Sequence, residues 1–228
     1  MTTRLPRLLA ALCGVLGTAA LIAYYAAPWT FVPLPANNAT AAEVIAFGAR
    51  YHTVILWDVW FQAIGSLLTI VFVLALVHLA GAAERFAGRF VLLVSAVIMG
   101  LSLAEGTFAL GAVQAGTNGH PEAAVACFDL TNVFIHIFLL APSLFLVLGF
   151  ALLGTRLLPS AFSYLAIALG VVFQVLGVAG LFSTAALLAV IAVLMAQNVW
   201  TIAAAIALAV RTEQPAANTV PRPLPATS

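Results

Sequence analysis

The chain has 228 residues, of which 64% are hydrophobic and only 7% charged, with a net charge of +1. Soluble domains carry about 25% charged residues, so lipid and not water must be the main solvent of this chain. With a balance so near neutral, and with arginine as its only basic residue besides histidine, it has no basic patch to neutralise phosphates, which excludes nucleic acid as a partner.

Six apolar runs follow one another, at about 8–27, 53–79, 90–113, 129–153, 160–181 and 184–209. Each is long enough to cross a hydrocarbon core ~30 Å thick as a helix. The expected fold is therefore all-α, a six-helix transmembrane bundle over residues 1–210. Arg4 and Arg7 precede the first run as they would in a secretory signal, but its length and weak A-x-A exits read as a retained span. After it come Pro28, Pro33 and Pro35, then Thr40-Ala-Ala-Glu43. That capping-box pattern opens a helix over about 40–50, and Val44, Ile45 and Phe47 would let this helix lie on the outer leaflet. Asn38-Ala-Thr40 has the form of a glycosylation sequon and reads as a chance match. Further on, His120-Pro121 reads as a loop. Gly14-x-x-Gly17 and Gly177-x-x-Gly180 read as points of close packing between spans. The tail 211–228, with Pro215, Pro221, Pro223 and Pro225, reads as disordered. Cys13 and Cys127 belong near opposite membrane faces, too far apart to bridge, and each reads as a small apolar residue.

Arginine placement orients the spans. With the N-terminus inside, the cytoplasmic segments hold Arg4, Arg7, Arg85, Arg89, Arg156, Arg211 and Arg222, and only Arg50 lies outside. That asymmetry follows the positive-inside rule and places both termini in the cytoplasm. Tyr24, Tyr25, Trp29, Tyr51, Trp57 and Trp60 then gather at the outer interface as an aromatic belt.

In this orientation Asp58, Glu105 and Asp129 fall in the outward half of the bilayer, together with Gln62, Asn132, His136 and Gln174. Helical rise puts Asp58 about 8 Å, and Glu105 and His136 about 11–12 Å, below the outer ends of their spans. Asp129, Asn132 and His136 share one helical face, as do Asp58, Gln62 and Thr69, and likewise Ser102 and Glu105. Unpaired, Asp58 and Glu105 together cost about 5–7 kcal/mol in a membrane, so they must be paired, protonated or metal-bound. The expected ligand or proton pocket is Asp58, Gln62, Glu105, Asp129, Asn132 and His136, opening outward between spans two, three and four. Gln174, Gln197, Asn198 and Ser102 read as packing residues. Asp58, Glu105, Asp129 and His136 are also the candidate set for a metal, although no H-E-x-x-H or comparable spacing is present. The histidines lie at unequal depths, which argues against a bis-histidine haem. No Walker loop, dinucleotide turn or G-x-S-x-G elbow occurs.

Ile135-His-Ile-Phe-Leu-Leu-Ala-Pro142, followed by Gly154-Thr-Arg-Leu-Leu-Pro159, resembles the bacterial six-span group DUF4386, a domain of unknown function. Trp200 and the alanine-rich stretch after it are similar to that group's last span. The resemblance is motif-specific over residues 135–159. It implies a six-helix inner-membrane protein and carries no activity, cofactor or catalytic residue.

Three readings remain for the function. The first is binding or transport of a proton, cation or small ligand, with Glu105 and Asp58 as a pair and His136 as their partner. The second is a membrane-embedded metallo-enzyme acting on a lipid or small apolar substrate. The third is a non-catalytic accessory subunit whose polar residues only pack the bundle.

Overall fold

A computed structural model describes residues 4–30, 35, 36 and 39–210. The tail 211–228 and Asn38 of the sequon lie outside the described residues. Among the described residues every regular element is a helix: α1 (Arg4–Thr30), α2 (Ala41–Leu79), α3 (Phe86–Thr117), α4 (Pro121–Leu140), α5 (Leu144–Leu152), α6 (Ser160–Gly180) and α7 (Thr184–Val210). With α4 and α5 taken as one interrupted span, six helical segments are long and apolar enough to cross a membrane. Each span packs on its neighbours in sequence, and α1 also packs on α7, which closes the bundle into a ring. The connections are short, so the spans alternate in direction. Arg4, Arg7, Arg85, Arg89 and Arg156 fall at one end of the bundle and Arg50 at the other.

Local chemistry accounts for the ends of the helices. Thr40 and Glu43 form the full capping box at the start of α2. At its far end Gly81, with φ +65°, sits past the last turn, and the N–H groups of Gly81 and Ala82 reach back to the carbonyls of His78 and Val77, both at 3.0 Å. This is the glycine-terminated helix end that satisfies otherwise orphaned carbonyls.

Two expectations are corrected. No separate surface helix covers residues 40–50. Those residues are the first three turns of α2, a 39-residue helix and so about 58 Å long at 1.5 Å per residue. Val44 is 3% exposed, and a Cβ on Gly48 or Gly116 would stand 3.5 Å from Val113 or 3.3 Å from Ile45. The segment therefore stands upright because its apolar side packs on the end of α3. The fourth span likewise begins at Pro121, where the proline occupies the first turn of α4. Proline suits that position because its missing N–H has no partner to lose. The same span breaks at Ala141-Pro142-Ser143, where a second proline cannot continue the helix. Gln174 on α6 accepts the N–H that Ser143 has free, at 3.1 Å.

The apolar core is concentrated toward the arginine-rich end. Phe72, Leu76, Val91 and Leu148 are each 0% exposed there, and Val73, Val94, Leu152 and Leu208 are 1%. Trp200 joins them, donating from Nε1 to the Phe162 carbonyl at 3.0 Å with its ring edge-on to Phe145. Glycine sets the spacing on two sides: a Cβ on Gly17 would lie 2.7 Å from the Thr69 backbone nitrogen, and one on Gly177 would run into the Leu139 carbonyl. The other half of the bundle has a much smaller apolar cluster, in which Leu139, Phe173 and Val190 are buried.

Candidate functional site

Three helices meet in that less apolar half. On α2, Asp58, Gln62, Ser66 and Thr69 recur at helical spacing and make a polar stripe. On α3, Ser95, Ser102 and Glu105 do the same. Gly106 brings the two stripes together, because a Cβ there would stand 2.9 Å from Val59 Cγ1 and 3.4 Å from Gln62 Oε1. α1 contributes Tyr24 from its last turns.

Glu105 is the centre of the arrangement. It is 9% exposed, and each carboxylate oxygen receives one donor. The Tyr24 hydroxyl donates to Oε1 at 3.0 Å, and Gln62 Nε2 donates to Oε2 at 2.8 Å. Gln62 is itself 6% exposed. Hydrogen bonds to a charged group contribute about 1.5–3 kcal/mol each. Two of them offset the ~2.5–3.5 kcal/mol that a carboxylate costs within a membrane. Asp58 is half-buried and differs: its Oδ1 is enclosed and has no hydrogen-bond partner among the described residues. Gln62, which binds Glu105, stands one turn from Asp58 on the same face of α2, and this makes the two carboxylates neighbours. One turn further in, Ser66 and Ser102 join through their hydroxyls at 3.2 Å.

The structure therefore brings together Asp58, Gln62 and Glu105 of the expected pocket. It does not bring in Asp129, Asn132 or His136. Asp129 is exposed, Asn132 and His136 are half-buried, and His136 Nδ1 sits 2.8 Å from the Asn132 carbonyl of its own helix. No hydrogen bond or ion pair among the described residues links the α4 stripe to Asp58 or Glu105. The outer half of α4 packs on α3 through apolar contacts instead, with Phe108 against Phe134 and Cys127 seated over Gly111. The site lies between spans one, two and three, and Tyr24 replaces His136 as the partner of Glu105. Sequence reasoning placed Tyr24 in the aromatic belt. The signal available in the sequence was depth, since Tyr24 lies about three residues inside the outer end of its apolar run and Asp58 about five inside its own.

The metal set fares similarly. Among the described residues no three of His, Cys, Asp and Glu converge, so Asp58, Glu105, Asp129 and His136 are not assembled as ligands. What the site offers is an enclosed carboxylate with both oxygens fixed and a second carboxylate with one oxygen unsatisfied. Such a pair suits a small positive species. No family model matches this chain, and no curated protein or solved structure matches it either.

Proposed function

We propose that this chain is a multi-pass protein of a bacterial plasma membrane, with both termini cytoplasmic, that binds a proton or small cation at Glu105 and Asp58 as part of a transport-type activity. One observation carries the reading. A carboxylate in the interior of the bundle is held by two donors from two other helices, while a neighbouring carboxylate oxygen has nothing. A polar group kept only to glue helices together would be satisfied by its own contacts. A charge retained at this cost is a functional site by default. The clustering of arginines at one end of the bundle supports the orientation, with the Glu105 half outward. The stretch 135–159 supports kinship with the DUF4386 group and adds nothing about activity.

The test uses the full chain in lipid nanodiscs. Proton uptake is followed with a pH indicator, and thermal stability is followed in Li⁺, Na⁺, K⁺, Mg²⁺ and Ca²⁺. The wild-type chain should respond to pH or to one of these ions. Glu105→Gln should fold equally well and lose the response. No response from the wild type, or an unchanged response in Glu105→Gln, overturns the reading.

A further inference from the structure

Arg50 stands apart from the other arginines. Arg4, Arg7, Arg85, Arg89 and Arg156 fall at the opposite end of the bundle. Arg50 is exposed, and no described carboxylate lies within ion-pair distance of it; the ion pair among the described residues joins Arg89 to Glu84. The acid on its own helical face is Glu43, seven residues back and so about 10 Å along α2. That carboxylate is already engaged, because its Oε2 accepts from the Thr40 N–H at 2.7 Å and from the Thr40 hydroxyl at 2.9 Å. The Arg50 guanidinium carbon stands 5.3 Å from the centre of the Tyr51 ring. This cation–π contact orients the group without neutralising it.

Beside Arg50 is an open cavity of about 490 Å³. Pro35, Ala36 and Ala39 wall it on the loop side, and Ala46, Phe47 and Tyr51 on the side of α2. Ligand sites commonly have this size and this make-up, apolar walls with a few polar groups that fix orientation. The apolar run of α2 begins at about residue 53, which sets Arg50 only ~5 Å above the hydrocarbon. That is headgroup depth, since the polar layer on each side of a bilayer is about 5–8 Å thick. Arg50 and Trp57 are seven residues apart and share a face of α2. Trp57 is 56% and Trp60 52% exposed, their rings edge-on at 5.7 Å with Phe61 against both. A free cation at headgroup depth therefore stands above an aromatic surface at acyl depth.

We propose that this face of α2 binds a net-anionic phospholipid, with the lipid's phosphodiester on Arg50 and its acyl chains along Trp57 and Trp60. Charge decides the headgroup. A guanidinium presents a planar fork of N–H donors that fits two phosphate oxygens at once, and no acid of the described chain competes for them at Arg50. A zwitterionic headgroup brings its own cation to its phosphate, so Arg50 gains less from it. Depth decides the source. A soluble phosphate would meet Arg50 alone, whereas a lipid also fills the aromatic surface that continues the site into the acyl layer. Neither Asp58 nor Glu105 takes part, so this site is independent of the one proposed for a proton or cation.

Brominated acyl chains quench nearby tryptophan and so read this site. The chain's tryptophans are Trp29, Trp57, Trp60 and Trp200. Trp29→Phe removes one, and Trp200, 3% exposed, serves as a constant background. In phosphatidylcholine nanodiscs with increasing fractions of brominated phosphatidylglycerol, quenching should saturate at a low fraction. Arg50→Gln should raise the half-saturating fraction about fivefold, the contribution of one arginine at a membrane surface. Ala46→Glu leaves Arg50 in place but supplies an acid one turn away, and should raise the fraction likewise. Both positions are exposed, so both variants should fold, and their unfolding midpoints check this. The arginines at the other end of the bundle are the same in all three chains and cancel. Equal curves for wild type and Arg50→Gln overturn the site. Equal quenching by brominated phosphatidylcholine and phosphatidylglycerol overturns the preference for a net anion. Quenching that inorganic phosphate reverses, beyond the effect of chloride at equal ionic strength, overturns the lipid and makes the ligand a soluble anion.

Discussion

The two halves of this bundle solve the same packing problem with opposite chemistry. At the arginine end, Phe72, Leu76, Val91 and Leu148 interlock with no exposure, and Trp200 finds a backbone acceptor for its one polar atom. At the other end the same helices meet over Glu105, Gln62 and Tyr24, with Asp58 incompletely satisfied. Lipid tails are as apolar as leucine, so burying hydrocarbon does not by itself draw membrane helices together; close packing and polar contacts do. The arginine end is built from the first and the Glu105 end from the second. At the Glu105 end a carboxylate oxygen of Asp58 is left for a ligand to satisfy.

Breaking the packed half should have the largest effect. Phe72→Ala removes a ring that is 0% exposed and that touches the Gly14 face of α1. Core Phe→Ala changes in soluble proteins cost about 3–5 kcal/mol. In a bilayer the transfer part of that cost shrinks, which leaves about 2–3 kcal/mol from lost contacts and the cavity. Unfolding in mixed micelles with increasing sodium dodecyl sulfate measures it. A loss below about 1 kcal/mol would show that the arginine end is loosely packed and would erase the contrast between the halves.

An intermediate effect is expected from Tyr24→Phe. It deletes the one hydroxyl that joins α1 to Glu105, at 3.0 Å, and leaves the ring in place. Loss of a hydrogen bond to a charged acceptor costs about 1.5–3 kcal/mol, and the Gln62 bond that remains moderates this toward the lower figure. The same unfolding assay reads it. A stability equal to wild type would mean that Tyr24 is only an interfacial aromatic and that the site is held by α2 and α3 alone.

The two halves were not equally legible in the sequence. Hydrophobic length alone placed six spans, because a membrane-crossing helix leaves a long apolar signal. Capping chemistry located the start of α2 through Thr40 and Glu43. Hydropathy could not show that α2 begins twelve residues before its apolar run, since Ile45 and Gly48 pack on Gly116 and Val113 of α3 and not on lipid. The break at Pro142 stood in the sequence as a proline, but its partner Gln174 is 31 residues away. The site followed the same rule. Spacing along one helix correctly grouped Asp58 with Gln62 and Ser102 with Glu105. It also grouped Asp129, Asn132 and His136, which share a face that turns out not to meet Glu105. Periodicity tells which side chains travel together and says nothing of which helix they face. That depends on pairs such as Gly106 with Val59 and Gly17 with Thr69, small residues whose importance appears only once a neighbour is in place.

The smallest effect is expected at the carboxylate the bundle leaves unmatched, and its sign should be reversed. Asp58→Asn keeps the size of the side chain and removes a charge that has an enclosed, unpartnered oxygen. Asn still carries a carbonyl oxygen in that place, so the gain is limited to the charge and stays within about 1 kcal/mol, well short of the full insertion cost of a central carboxylate. Because Asp58 is only half-buried, solvent screening reduces the gain further. Unfolding in sodium dodecyl sulfate should therefore show Asp58→Asn as stable as wild type or slightly more so, while proton uptake per chain falls. A loss of about 1 kcal/mol or more would mean that the Asp58 carboxylate is paired in the folded protein. The Glu105 half would then be a completed network like any other packing contact, with no oxygen left over for a proton to claim.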